Sequence, residues 1–154
     1  MSNINKSFTS FMNIALNEAK KSYQLHEVPV GAVIICNNQI IASAHNQNII
    51  DCDPTSHAEI IAIKKACKLL KTNRLVDCDL YVTLEPCAMC ASVIAETRIK
   101  NLYYILSDKK YGAVENGAKI FTQKSCHHKI NIYNEIGNKE EYKKLLQKFF
   151  QNKR

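Results

Sequence analysis

The sequence predicts an α/β fold in three α/β/α layers, with a mixed five-stranded sheet between helices on both faces. Two observations predict it. Short apolar runs of strand length alternate with longer stretches whose apolar residues recur at helical spacing. The first two strands meet at Asn37-Asn38, a tight-turn pair, so the sheet opens as an antiparallel hairpin before the helical crossovers begin.

Phe8, Phe11, Met12, Ala15, Ala19 and Tyr23 recur at helical spacing and predict an opening amphipathic helix. "VPVGAVIIC" at 28–36 and "IIASAHN" at 40–46 are the hairpin strands. "QNIIDCDPTS" at 47–56 is a loop, in which Pro54 and Ser56 announce a helix capped at Ser56. Ile60, Ile63, Cys67 and Leu70 give that helix its inner face. "DLYVTL" at 79–84 is the third strand, broken by Pro86 ahead of a helix over "CAMCASVIAE" at 87–96. "NLYYIL" at 101–106 is the fourth strand, and "SDKKYGAVENG" at 107–117 is a long polar connection of the kind that carries function. "INIY" at 130–133 is a weak fifth strand. Asn138 with Glu141 caps a last helix, with Tyr142, Leu145, Leu146 and Phe149 on one face.

The 154 residues fit one domain over 1–154, long enough to bury a core without disulfides. No repeat, low-complexity tract or linker divides it. Lys+Arg 21 against Asp+Glu 14 gives a net charge of +7, which favours polyanionic partners such as nucleic acid. No apolar run approaches the roughly 18 residues that span a bilayer. "MSNINKSFTS" lacks the apolar core of a signal peptide. Seven cysteines, an odd number with a single recognisable spacing, argue against a secreted disulfide scaffold and for a reducing cytoplasm.

The chemistry lies in "HAE" at 57–59 and "PCAMC" at 86–90, each where a helix begins. Cys87 and Cys90, three apart on a helix, share one face and can reach a single metal. The free N–H groups of a helix start favour their thiolates. One histidine nitrogen and two thiolates make three ligands and leave a fourth tetrahedral position open, as catalytic rather than structural zinc sites do. Residues two apart on a helix point about 200° from each other, so His57 and Glu59 can face one metal only in the first turn.

Glu59 has a second reading. Ser56 and Glu59 match a capping box, in which the glutamate only closes the helix start. C-x-x-C after a strand also suits a thioredoxin-like redox pair. The two stretches together match the zinc deaminase signature H-x-E…P-C-x-x-C, in which the glutamate moves protons.

At this point the sequence resembles the bacterial tRNA adenosine deaminases. The resemblance is carried by "EVPVGAV" at 27–33, Asn46, "DPTSHAEI" at 53–60, "LYVTLEPCAMC" at 80–90, "TRI" at 97–99, "SDKKYGA" at 107–113 and "LL…FF" at 145–150. It implies a cytidine-deaminase-like sandwich, a homodimer, one Zn²⁺ per subunit, and conversion of a wobble adenosine in a tRNA anticodon stem-loop to inosine, classically in an arginine tRNA. It implies that His57, Cys87 and Cys90 hold zinc and that Glu59 shuttles protons. It further implies that Asn46 bonds the flipped base and that Asp108 and Lys110 contact the RNA backbone or ribose. Phe149 would stack on an anticodon-loop base, although its spacing equally suits a core face. Lys148, Lys153 and Arg154 would meet phosphates or simply solubilise the terminus.

Cys52 lacks ligand spacing, Cys36, Cys67 and Cys78 read as small buried hydrophobes, and His127-His128 as surface polarity. The sequence departs from the family at Ile105, Leu106, Ser92 and Val93, where small residues are usual, and over 119–134. Those departures bear on the substrate before the chemistry. Two other functions compete: deamination of a free base or nucleotide of guanine or cytosine type, and a non-catalytic zinc or RNA-binding module or Cys87/Cys90 redox protein.

Overall fold

The computed structural model describes the backbone of residues 2–152 and the side chains from Phe8 onward, so Lys153 and Arg154 lie outside the described residues. The elements run α1 (Ser2–Gln24), β1 (Gly31–Cys36), β2 (Gln39–His45), α2 (Ala58–Leu70), β3 (Cys78–Leu84), α3 (Ala88–Glu96), β4 (Asn101–Leu106), β5 (Asn131–Tyr133) and α4 (Lys139–Gln151). The sheet order is β2-β1-β3-β4-β5. β1 is antiparallel to both β2 and β3, and β3, β4 and β5 are parallel, giving the expected mixed five-stranded sheet. The turn at Asn37 and Asn38 has positive φ at both residues (51° and 60°), the conformation that matches strand twist in a two-residue hairpin.

Alternation along the strands splits the core between the two faces. Ala32, Ile34, Leu80, Val82, Leu102 and Tyr104 pack with Ala62, Ile63 and Ala66 of α2 and Ala91 and Ile94 of α3. Val33, Ile35, Tyr81, Tyr103 and Ile105 pack with Met12, Ala15, Leu16 and Ala19 of α1 and Tyr142 of α4. Three layers result. Ile105 therefore belongs to the core and not to a ligand pocket, whereas Leu106 is the residue that reaches one.

The three parallel strands carry tyrosines at one level. Tyr81, Tyr103 and Tyr133 are successive register partners. Their rings stack at 4.4 and 4.8 Å between centroids, nearly parallel. Offset ring pairs stabilise by about 0.5–1.5 kcal/mol beyond area burial. This stack adds to the β4 ladder and the Asn131–Asn101 side-chain bond in holding β5, whose three residues are exposed.

Two expectations about α2 are corrected. Its N-cap is His57, and Ser56 instead donates its hydroxyl to Asp51 at 2.9 Å. Of the expected inner face, Ile60 and Ile63 are buried, together with Ala58, Ala62 and Ala66, while Cys67 is half-buried and Leu70 exposed. Alanines let the helix axis lie close to the sheet, and Leu69 and Leu70 in the last turn are exposed. The last helix follows its expectation: Asn138 caps it by accepting the Glu141 N–H at 3.1 Å.

No described helix is long and apolar enough to cross a membrane. Gly31 begins β1 where α1 crosses it, and a Cβ there would overlap the Ala15 carbonyl oxygen and crowd the Ala19 nitrogen. Gly31→Ala is therefore expected to destabilise the fold by about 1–3 kcal/mol, the usual cost of overpacking. A denaturation midpoint unchanged from wild type would contradict this packing.

Candidate metal centre and active-site pocket

One edge of the sheet gathers the start of β1, the end of β2 and the ends of β3 and β4, because β1 runs against β3 while β4 runs with it. α2 and α3 both begin at this edge, which is where open α/β sheets bind their ligands. His57 is the N-cap of α2 and Cys87 the N-cap of α3, and neither side chain makes a capping hydrogen bond. Both are free to point at each other.

They do, with Cys90 from the first turn of α3 completing the group. His57 Nδ1 lies 3.6 Å from Cys87 Sγ and 3.4 Å from Cys90 Sγ. The three donor atoms lie within 4.8 Å of one another, and this is the one such cluster among the described residues. Zn–S bonds of about 2.3 Å and Zn–N bonds of about 2.0–2.1 Å at tetrahedral angles require nitrogen–sulfur separations of about 3.5 Å. The donor set and its spacing fit zinc. Cys52 is exposed and stands outside the cluster.

A hydrogen bond from Cys90, helped by His57, pushes the Cys87 thiol down to about 4. The same pairing and burial push Cys90 up. Hydrogen bonding to Cys87 raises His57, against its burial. Glu59 is 3% exposed and bonded to the Cys90 thiol, and burial raises its carboxyl above the usual range. It makes no capping box with Ser56, whose hydroxyl is given to Asp51.

The first turn of α2 is closed from a distance. Asn46 Oδ1 accepts the Ala58 N–H at 2.8 Å. That bond fixes the orientation of the amide, because only its oxygen can accept. The Asn46 Nδ2 is thereby left as a donor in a residue that lines the pocket.

His57, Glu59 and Cys87 sit in a cavity of about 760 Å³, whose walls include Asn46, Leu84, Leu106, Asp108, Lys110, Tyr111 and Phe150. The structure thus brings Asn46, Asp108 and Lys110 to the same pocket as His57, Glu59 and Cys87. Asp108 Oδ1 accepts the backbone N–H groups of Lys110 and Tyr111, both at 3.0 Å, and so shapes its own turn. Lys110 Nζ stands 5.2 Å over the Tyr111 ring, and Tyr111 is 67% exposed.

Phe149 is elsewhere. It is 4% exposed and packs edge-on against Tyr23, leaving Phe150, 55% exposed, as the aromatic residue of α4 at the pocket. The adjacent "FF" offered both residues, and only the helix orientation separates them. Lys148 is exposed, as is His127, while half-buried His128 bonds the Ile99 carbonyl. Sequence reasoning missed Glu27 and Glu85, buried carboxylates in the pocket wall that bind backbone N–H groups of its loops. Their partners are distant in sequence, so no local spacing could have shown them.

With this geometry in place, comparison with known proteins is informative. The cytidine and deoxycytidylate deaminase zinc-binding region matches residues 5–106. A tRNA-specific adenosine deaminase of Agrobacterium fabrum is 44% identical over 146 residues, covering 95% of each chain. A solved structure from biochemical and structural studies of A-to-I editing by tRNA A34 deaminases superposes with a TM-score of 0.80 at 47% identity, covering 82% of this chain and 97% of that one. A guanine deaminase from Nitrosomonas europaea has a TM-score of 0.78 at 17% identity, covering 92% of this chain and 83% of that one, a likeness of fold alone. Matched across two thirds of its length and nearly half identical to such relatives, the chain belongs to the cytidine and deoxycytidylate deaminase zinc-binding family, in the branch of its tRNA-specific adenosine deaminase relatives.

Proposed function

We propose that the protein is a zinc-dependent deaminase that hydrolyses the wobble adenosine of a tRNA anticodon, that of an arginine tRNA foremost, to inosine. The observation that carries the chemistry is the triangle of His57, Cys87 and Cys90 beside the buried carboxyl of Glu59 in one pocket. Identity of 44% with the Agrobacterium fabrum enzyme across 95% of the chain supports tRNA adenosine over a free base.

His57, Cys87 and Cys90 would hold one zinc per chain. Zinc bound at such a site lowers the pKa of water from about 15.7 towards about 7, so that a nucleophile is available at neutral pH. Burial raises the Glu59 carboxyl above the usual range, and Glu59 would pass protons from the attacking water to the ring nitrogen and then to the departing ammonia. Asn46 Nδ2 would donate to an acceptor on the purine edge, held in place by the bond of its oxygen to α2. An anticodon-loop base is already unpaired, so turning it into the pocket costs little. Asp108 and Lys110 would meet the ribose and backbone at the mouth. Exposed Tyr111 and Phe150 offer ring faces to neighbouring bases, the part first assigned to Phe149. A single domain, a homodimer and action in the cytoplasm belong to the same reading: one sheet shared by both cores supports the first, the free cysteines support the last, and the homodimer is what the family resemblance implies.

An arginine tRNA transcript with a wobble adenosine is expected to gain inosine on incubation with the zinc-loaded protein. Glu59→Ala should keep zinc and RNA binding and lose about 10²–10⁴ in rate, the scale of positioned proton transfer. Deamination of free guanine or cytosine with the transcript untouched would refute the tRNA reading. For Asn46 two variants separate its two ends. Asn46→Ala strands the buried Ala58 N–H and should cost about 1–3 kcal/mol in stability. Asn46→Asp keeps the acceptor, so its melting should stay near wild type while KM for the stem-loop rises about tenfold. Equal melting of the two variants would contradict the capping bond.

A further inference from the structure

Glu85 follows the end of β3, two residues before Cys87, and is 3% exposed. Among the described residues no lysine, arginine or histidine pairs with it. Five N–H donors converge on it instead. Oε1 accepts the backbone N–H of Val114 at 3.1 Å, of Glu115 at 2.9 Å and of Asn116 at 3.0 Å. Oε2 accepts the backbone N–H of Asp108 at 2.8 Å and the side-chain Nδ2 of Asn116 at 2.7 Å. All five donors come from the connection between β4 and the 3-10 turn at Ile120–Thr122. Gly112 passes so close that a Cβ would overlap the Glu85 carboxyl carbon. The same segment is tied to the metal-ligand strand end, with Gly112 bridged to Cys87 and the Ala113 N–H bonded to the Pro86 carbonyl at 2.9 Å.

We propose that Glu85 is a positioning residue, whose carboxylate is the template that holds segment 107–116 against the pocket and so presents Asp108, Lys110 and Tyr111 to the substrate. The proposal deepens the functional reading above and rests on it for the identity of that substrate. A buried carboxylate without a cation is tolerated only if donors surround it. Here the donors are the backbone of a segment with no regular structure of its own, whose Ser107, Lys109, Lys110 and Tyr111 are exposed. Buried Ala113 and Val114, and the Tyr104 and Ser107 hydroxyls given to Glu115, also hold the segment. The carboxylate is the group that gathers the N–H groups of Asp108, Val114, Glu115 and Asn116 at one point. Both oxygens must accept. Glutamine cannot replace it, because its amide turns an NH₂ either to three backbone N–H groups or to the donors of Asp108 and Asn116.

The test compares zinc-loaded wild type with Glu85→Gln by amide hydrogen exchange and by kinetics on an anticodon stem-loop. Amides of Asp108, Val114, Glu115 and Asn116 are expected to exchange at least about tenfold faster, with α2, α3 and zinc content unchanged. KM for the stem-loop should rise about tenfold with kcat within about threefold, since a misplaced wall weakens binding before chemistry. Adding Asn116→Asp to Glu85→Gln reverses donor and acceptor on one bond, and part of the protection and of KM should return. Should Glu85→Gln fail to hold zinc, Asn116→Ala, which removes one donor, is read in the same way with a smaller expected change. Unaltered exchange at these four amides, in Glu85→Gln or in the substitute variant, overturns the proposal. So does an equal fall in kcat with KM unchanged. A wild type inactive on the stem-loop would instead overturn the substrate reading, and the exchange result would stand apart from it.

Discussion

Two helices, α2 and α3, begin side by side at one edge of the sheet, and neither closes its first turn with its own N-cap side chain. Everything in the site depends on that. A capping side chain must bend back onto the helix, whereas His57 and Cys87 point away from theirs and towards each other. The orphan N–H groups and helix dipoles at both starts favour negative charge, so they stabilise the thiolates that a metal requires. The cost of leaving α2 uncapped is offset by Asn46, which reaches from the end of β2 to accept the Ala58 N–H.

The walls of the pocket use the same economy of backbone donors. On one side Glu27 accepts the N–H groups of Ile49 and Ile50 at 2.7 and 3.0 Å. On the other, Glu85 gathers its five. Each is buried beside a strand end, and each organises a loop that regular secondary structure does not. The pocket thereby gains fixed walls without further strands or helices.

Much of this was legible in the sequence, and the parts that were not have physical reasons. The succession of strands and helices and the opening hairpin were legible, since periodicity, the Asn37-Asn38 turn and the Asn138 cap are local signals. The clustering of His57, Cys87 and Cys90, with Glu59 beside them, was legible because these residues occupy two short stretches with fixed spacing. The helix start was misread by one residue at Ser56, because a serine three residues before a glutamate satisfies the capping pattern whether or not its hydroxyl finds Asp51 instead. Phe149 and Phe150 differ by one helical step, about 100°, which a pattern of apolar residues does not resolve. Of the bulkier residues assigned to the inner face of α2, Ile60 and Ile63 are buried, whereas the last turn with Leu70 runs clear of the sheet and alanines fill the rest of the face. Glu27 and Glu85 were invisible because their partners lie 22 to 31 residues away.

The central claim is that two uncapped helix starts make a three-ligand zinc site with an open position. X-ray absorption at the zinc edge tests it most directly on stoichiometrically loaded protein. One zinc per chain is expected, with two sulfurs at about 2.3 Å and one imidazole nitrogen at about 2.0–2.1 Å, the remaining neighbour being a light atom that exchanges with solvent. A shell closed by a fourth protein ligand, or a protein that takes up no stoichiometric zinc, would contradict it.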